Sequence, residues 1–339
     1  MNILLIQLKR IGDLILTTPA IAALREKFPE AHLSLVVSPA VSELLPAIAG
    51  IDKVFTVRGK TDDAFDWLAL SLGKFDYCLD FTRNDRSSFL TFLSGARKRI
   101  TSDHPNLRTK LRARSYNEFV EAPVGNLHTV DYHLGLLKAV GIENASRAIR
   151  LHLPEQTEAK ATQLLRSANV SDDFVCFHPG SARPEKFWEA TRWAEAIDHC
   201  AHETGMSCVL TGGRSAIEQG QIAAIKAATK SNPIDLSGKT NLLTLAAVVR
   251  RARLLVTVDS APMHFAAAWD TPQVVLFGPT NPFHWHPRSD SALVLLGGND
   301  GPVAEFKPKQ RAMAMNQIST KAVIDAMETL LSAPAAPVP

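Results

Sequence analysis

Long apolar runs are missing from this 339-residue chain. No segment reaches the ~18 consecutive apolar residues that a membrane-spanning helix needs. The opening run Ile3 to Leu8 is short and is followed, not preceded, by Lys9 and Arg10. That order is wrong for a secretory signal, so a cytosolic protein is expected. The four cysteines, Cys78, Cys176, Cys200 and Cys208, form no CxxC or metal-ligand spacing and sit in apolar segments; they read as reduced core thiols. No GxGxxG follows the first strand and no GxxxxGK[ST] occurs, which leaves a dinucleotide fingerprint or a Walker loop unsupported. A hydrophobically flanked DxD and a His/Asp/Glu ligand set are missing too, so no essential metal or other cofactor is expected.

What is present is an ordinary soluble composition, 46% hydrophobic and 21% charged, long enough for about two domains at ~150 residues each. The net charge of +3 is unremarkable, but its placement is not. Between Arg83 and Arg114 stand nine Lys or Arg against Asp85 and Asp103, a local net of +7. A cationic face of this kind suits an anionic partner.

The apolar pattern alternates between strands and helices. "NILLIQL", "HLSLVV", "DKVFTV" and "DYCLDF" read as buried parallel strands. "TTPAIAALREKFP", "AVSELLPAIAG" and "DDAFDWLALSLG" between them read as helices. The stretch Thr101 to Pro123 is polar and is expected to be an irregular, mobile loop, followed by a helix over about 129–140. A second series begins near Ala168, with "FVCFHPG", "SCVLTGG", "PIDLSG", "RLLVTV" and "QVVLFG" as strands. The expectation is an α/β protein of two doubly wound parallel-sheet domains, residues 1–167 and 168–332, with a disordered Pro/Ala tail over 333–339.

In open α/β sheets, ligands bind beyond the carboxyl ends of the strands. Six polar clusters fall there: "KRIGD", "HPGSARPEK", "TGGRSAIE", "SGKT", "VDSAPMH" and "FGPTNP". Asp259 and Ser260 precede a short helix of small residues, whose terminus can hold a phosphate through its free N–H groups; Asp259 reads equally well as a simple N-cap. His264, one turn further, suits either a site or a core. Lys186 in "RPEKFW" can meet a phosphate as a point charge, or stand in solvent. Asp13 in "RIGD" can act as a base or merely stabilise its turn.

Together, "ILLIQLKRIGDLILTTPAIAALREKFP", "RNDRSSFLTFLSGARKRI", "FHPGSARPEKFW", "VLTGGRSAIE", "DLSGKTNLLTLAAVVRRARLLVTVDSAPMHFAAA" and "TPQVVLFGPTNP" closely resemble glycosyltransferase family 9, the ADP-heptose:lipopolysaccharide heptosyltransferases. The wording is most similar to the heptosyltransferase III branch. The resemblance implies a GT-B fold, two Rossmann-like domains facing across a cleft, with acceptor on the N-terminal and nucleotide-sugar on the C-terminal domain. It also implies inverting, metal-independent transfer from ADP-heptose to the lipopolysaccharide inner core, at the cytoplasmic face of the inner membrane.

Residue by residue, the resemblance makes Asp13 the general base. It makes Ser181, Lys186, Glu218, Asp259, Ser260, Ala261 and His264 the donor site. Ala261 departs from the glycine commoner at its position. The +7 window supplies acceptor candidates: Arg83, Arg86, Arg108, Lys110, Arg112 and Arg114. The expected partners are a nucleotide-sugar, an anionic glycolipid and the membrane surface, with no nucleic acid, for a monomer. Two rival readings remain: another GT-B reaction such as sugar-nucleotide epimerisation or transfer from another nucleotide-sugar, and a non-catalytic glycolipid-binding relative.

Overall fold

The computed structural model describes residues 1–58, 64–104, 110–311 and 313–333. The chain divides into two compact units, Met1–His152 and Leu153–Pro339.

In the first unit, β1 (Asn2–Gln7), β2 (His32–Val37), β3 (Lys53–Thr56), β4 (Tyr77–Asp80), β5 (Lys98–Ser102) and β6 (Glu118–Val120) form one sheet of order β3-β2-β1-β4-β5-β6. Every pairing is parallel. The helices are α1 (Ile11–Ile15), α2 (Thr18–Lys27), α3 (Ala64–Ser71), α4 (Asp85–Leu93), α5 (Lys110–Ser115) and α6 (Thr129–Leu136). Ile3, Leu4, Leu5 and Ile6 of β1 are completely buried, as expected of a central strand covered by helices on both sides.

The second unit contains α7 (Glu155–Ser167), β7 (Phe174–His178), α8 (Ala190–Thr204), β8 (Ser207–Leu210), α9 (Ala216–Ala228), β9 (Ile234–Asp235) and α10 (Leu242–Arg251). It continues with β10 (Leu254–Val258), α11 (Ala261–Ala268), β11 (Gln273–Phe277), β12 (Ala292–Leu296) and α12 (Thr320–Ser332). Its sheet, β12-β11-β10-β7-β8-β9, is also parallel throughout. Counted within its own unit, it repeats the first sheet's order, the 3-2-1-4-5-6 of a Rossmann fold. The strand order therefore reverses between β1 and β4 in one unit, and between β7 and β10 in the other.

Several details depart from the sequence reading. "AVSELLPAIAG" is not an α-helix: Pro39–Ala47 is a 3-10 helix with Pro46 inside it, a residue that cannot donate an i→i−4 bond. The stretch expected as an irregular loop carries the end of β5, then α5 and β6. Helix α4 was also missing from the reading; Asn84 caps it, accepting from Ser87 N at 2.8 Å. The expected boundary at 167/168 assigned α7 to the first half. Its packing places it in the second unit, where Arg250 and Arg251 of α10 bridge to Glu158 at 3.2 and 2.9 Å. The tail from 334 onward lies outside the described residues. All four cysteines are buried and free.

Candidate active site

The second unit gathers its polar side chains at the switch point. Lys186 lies in a 3-10 turn, Pro184–Lys186, after β7; Asp259 lies directly after β10. Lys186 Nζ is 2.5 Å from Asp259 Oδ2 and donates to Asp259 O at 3.0 Å. Both residues are 8% exposed, so neither is a solvated surface charge. Asp259 is also not the N-cap that one reading made it. Ser260 occupies that position, with no side-chain cap bond. In the first turn Pro262 carries no N–H and Met263 N donates to Ser260 O at 3.3 Å, so the Ala261 N–H is the donor left at the helix start. An ammonium has three hydrogens. Two are engaged by Asp259, and the third can serve an anion at the start of α11.

Ser260 Oγ lies 3.3 Å from Val258 O and from Thr257 Oγ1, and Ala261 opens α11. His264 is buried in that helix, and its Nδ1 has no hydrogen-bond partner among the described residues. Burial lowers its pKa to about 4, so the ring is neutral near pH 7. Ser181 is buried after β7 and accepts from Arg183 N at 3.3 Å.

Glu218 in the first turn of α9 accepts from Ser215 Oγ at 2.9 Å and from Gly213 N at 3.4 Å. Its carboxylate fits against two glycines. A Cβ on Gly180 would stand 2.4 Å from Oε1, and one on Gly213 would stand 2.3 Å from Oε2. A side chain at either glycine would displace the Glu218 carboxylate, which lies against the loop after β7 and is hydrogen-bonded to the loop after β8. Beneath it, buried His178 holds Thr211 Oγ1 at 2.9 Å, with its pKa lowered to about 4 by burial.

In the first unit, Asp13 lies in α1, directly after β1. Its carboxylate is loosely held: Arg10 N donates at 3.4 Å, and Lys9 Nζ is 3.9 Å away. Burial raises its pKa above the ordinary carboxylate value, with Lys9 opposing the shift.

The neighbouring strand end was missed by the sequence reading. Asp80 closes β4 and is fully buried. It accepts from Tyr116 Oη at 2.6 Å, Ser87 Oγ at 2.7 Å, Thr82 N at 2.8 Å and Arg83 N at 3.0 Å. The signal available was an aspartate ending an apolar run in "YCLD", as Asp259 follows "LLVTV". Those bonds hold Arg83 in a left-handed conformation, φ 61°. Its guanidinium lies 5.0 Å from the Tyr132 ring centre and 3.3 Å from Ser102 Oγ.

The other acceptor candidates are less gathered. Arg86 donates to Val57 O, and Arg112 is paired with Asp85. Arg114 is exposed. Arg108 and the side chain of Lys110 lie outside the described residues. Among the described residues, no group of three or more His, Cys, Asp or Glu side chains could hold a metal ion.

The model of glycosyltransferase family 9 (heptosyltransferase) matches residues 67–315. The chain belongs to glycosyltransferase family 9. Lipopolysaccharide heptosyltransferase 3 of Escherichia coli is 26% identical over 331 residues, covering 94% of this chain and 96% of that protein. Among solved structures, a family 9 glycosyltransferase from Veillonella parvula superposes with a TM-score of 0.83 at 26% identity, covering 97% of both chains. ADP-heptose LPS heptosyltransferase II of E. coli superposes with a TM-score of 0.77 at 20% identity over 98% of both chains. This family 9 chain is thus a glycosyltransferase with the GT-B fold, built from two Rossmann-like units. Its switch-point residues are where such a fold places ligands.

Proposed function

We propose that this enzyme transfers a heptose from ADP-heptose to the inner core of lipopolysaccharide, inverting the anomeric carbon and needing no metal. The observation that carries the reading is the buried Lys186–Asp259 pair at the start of α11. It offers a fixed cationic hydrogen and a helix N-terminus to a diphosphate, inside a chain of this family. Fixed donors aimed at a leaving group need no reorganisation as charge develops.

In this reading the donor belongs to the second unit. Lys186, Ser260 and the N–H of Ala261 meet the diphosphate, Ser181 stands beside it, and His264 packs behind the helix start. Glu218 meets the nucleoside. The acceptor belongs to the first unit, where Asp13 removes the proton from the attacking hydroxyl. A carboxylate with raised proton affinity is better matched to that task near neutral pH than an ordinary one. The anomeric C–O bond to the diphosphate breaks as the bond to the acceptor oxygen forms, through an oxocarbenium-like state. Lys186 takes up the charge of the departing ADP.

The basic stretch Arg83 to Arg114 meets the anionic acceptor and the cytoplasmic face of the inner membrane. That stretch nets +7.

Purified enzyme with a panel of nucleotide-sugars and a heptose-bearing core acceptor tests the proposal. ADP release from ADP-heptose is expected only with acceptor present, insensitive to EDTA, with an inverted linkage in the product. Conversion of the donor without acceptor would favour epimerisation, and a strict divalent-cation requirement would remove the metal-free charge balance.

A further inference from the structure

The described residues include seven large hydrophobic side chains that stand exposed, and four of them lie on, or directly after, two neighbouring helices. Leu68 is 56% exposed, Leu72 68%, Phe89 50% and Phe92 58%. Leu68 lies in α3 and Leu72 directly follows it, its N–H donating to Leu68 O at 3.0 Å so that helical spacing continues. Phe89 and Phe92 lie in α4. Each pair is spaced four or three apart, on one side of its helix. The two helices pack together, and the Trp67 ring stands edge-on to Phe89 with centroids 6.0 Å apart. The result is an outward apolar surface across two adjacent helices of the first unit. Single exposed apolar residues are ordinary on a soluble surface, whereas a cluster signals a contact.

The surrounding charge identifies the contact. Phe89 and Phe92 lie inside the +7 window. Asp85, the acidic residue of α4, is engaged by Arg112. Beyond the C-terminal ends of α3 and α4 stand exposed Lys74 and the side chains of Arg97 and Lys98, 84% and 48% exposed, with Asp76 and Glu118 at 3.7 and 3.9 Å from the last two. α3 itself carries Asp66, so the surroundings keep a basic excess but are not free of acid. Leucine and phenylalanine beside a net excess of lysine and arginine match the boundary between acyl chains and anionic headgroups, where surface ion pairs exchange readily for phosphate contacts. A second copy of the chain fits less well, because a symmetric contact would bring two +7 windows together.

We propose that the α3–α4 face is a lipid-docking surface, with Leu68, Leu72, Phe89 and Phe92 entering the headgroup region of an anionic bilayer and the neighbouring basic residues meeting its phosphates. It gives an apolar anchor to the membrane contact proposed above. It rests on this surface and not on the donor site.

The test combines vesicle flotation with turnover on a water-soluble, deacylated core acceptor. Wild-type protein should float with phosphatidylglycerol/phosphatidylethanolamine vesicles and hardly with phosphatidylcholine. The variant carrying Leu68→Ser, Leu72→Ser, Phe89→Ser and Phe92→Ser should bind the anionic vesicles at least ~10-fold more weakly, since each buried apolar group contributes to partitioning. Its kcat and KM on the soluble acceptor should be unchanged. Phe92→Trp provides a second readout: its fluorescence should shift to the blue with anionic vesicles only. Equal flotation of wild type and the serine variant, or a tryptophan unmoved by anionic lipid, overturns the proposal. So does wild-type dimerisation in lipid-free solution that the serine variant abolishes. Lack of turnover on the soluble acceptor with intact anionic-vesicle binding would sink the enzymatic reading and leave this surface standing.

Discussion

At the first unit's switch point, the carboxylate after β1 is held weakly among the described residues, with the Arg10 N–H at 3.4 Å and the Lys9 ammonium at 3.9 Å. At the second unit's switch point, the carboxylate after β10 is closed onto an ammonium at 2.5 Å. The strand order is the same in both, so topology does not decide the difference; the residue facing each carboxylate does. A buried acid without a close partner has a raised proton affinity, and that is a property a base can use. A buried acid locked to a lysine holds that lysine's position instead. The roles proposed above, a proton acceptor in one unit and an anion clamp in the other, rest on that difference.

The largest expected effect breaks the first half of this contrast. Asp13→Asn keeps the shape and removes the basicity, so kcat should fall by at least ~10²-fold with ADP affinity little changed. Single-turnover kinetics alongside calorimetry with ADP check this. Near-normal turnover would mean that the loose carboxylate is only a turn residue.

The second test breaks the clamp. Lys186→Ala should weaken ADP binding by about 1.5–3 kcal/mol, the range for a hydrogen bond to a charged group. It also leaves Asp259 buried and unpaired, which lowers stability on its own account. Comparison with the double variant Lys186→Ala, Asp259→Ala separates the two effects. Thermal stability should recover in the double variant while ADP affinity stays weak. Full recovery of ADP affinity would show that the pair is structural.

How much of this was legible beforehand varied with burial. "NILLIQ", "FVCFH", "LLVTV" and "QVVLF" announced themselves because strands covered on both faces are apolar at nearly every position. "KRITS" and "EFV" did not. They form β5 and the edge strand β6, too short and too polar to carry a pattern. Asp13, Lys186 and Asp259 stand out as candidates from their place at strand ends and from the family wording. What one sequence could not give was which carboxylate finds a partner. Lys186 and Asp259 are 73 positions apart, and Tyr116 reaches Asp80 from 36 positions away. Such pairings are decided by the sheet order. The Gly180 and Gly213 cradle around Glu218 is of the same kind.

The third test concerns the tightly held acid of the first unit, which sharpens the contrast within that unit. Tyr116→Phe removes a 2.6 Å donor from buried Asp80 and the 2.7 Å contact with Ser88 Oγ. Asp80 keeps its other three donors, so the loss is that of one buried hydrogen bond, on the order of 1 kcal/mol, and denaturant midpoints should fall accordingly. Because Asp80 also receives the N–H of Arg83, acceptor KM should rise while ADP affinity stays constant. A change in ADP affinity equal to that in KM would mean a global loss of fold and not a displaced Arg83.

The smallest effect is the most specific to the contrast. Lys9 is the nearest cation to Asp13 and favours its ionised form, opposing the effect of burial. Lys9→Met removes that charge and keeps most of the side-chain volume. The sign follows directly: without the ammonium, the ionised carboxylate is less favoured and Asp13 binds its proton more tightly. The base must be unprotonated to act, so the acid limb of kcat/KM should move to higher pH, while the plateau above it stays near the wild-type value. Added salt should shift the wild-type limb the same way, because Lys9 is one-third exposed, at 34%, and its field is screened. An acid limb unmoved in Lys9→Met would assign that limb to a group other than Asp13. A fallen plateau with no shift would make Lys9 a contact for the acceptor and not a tuner of the base.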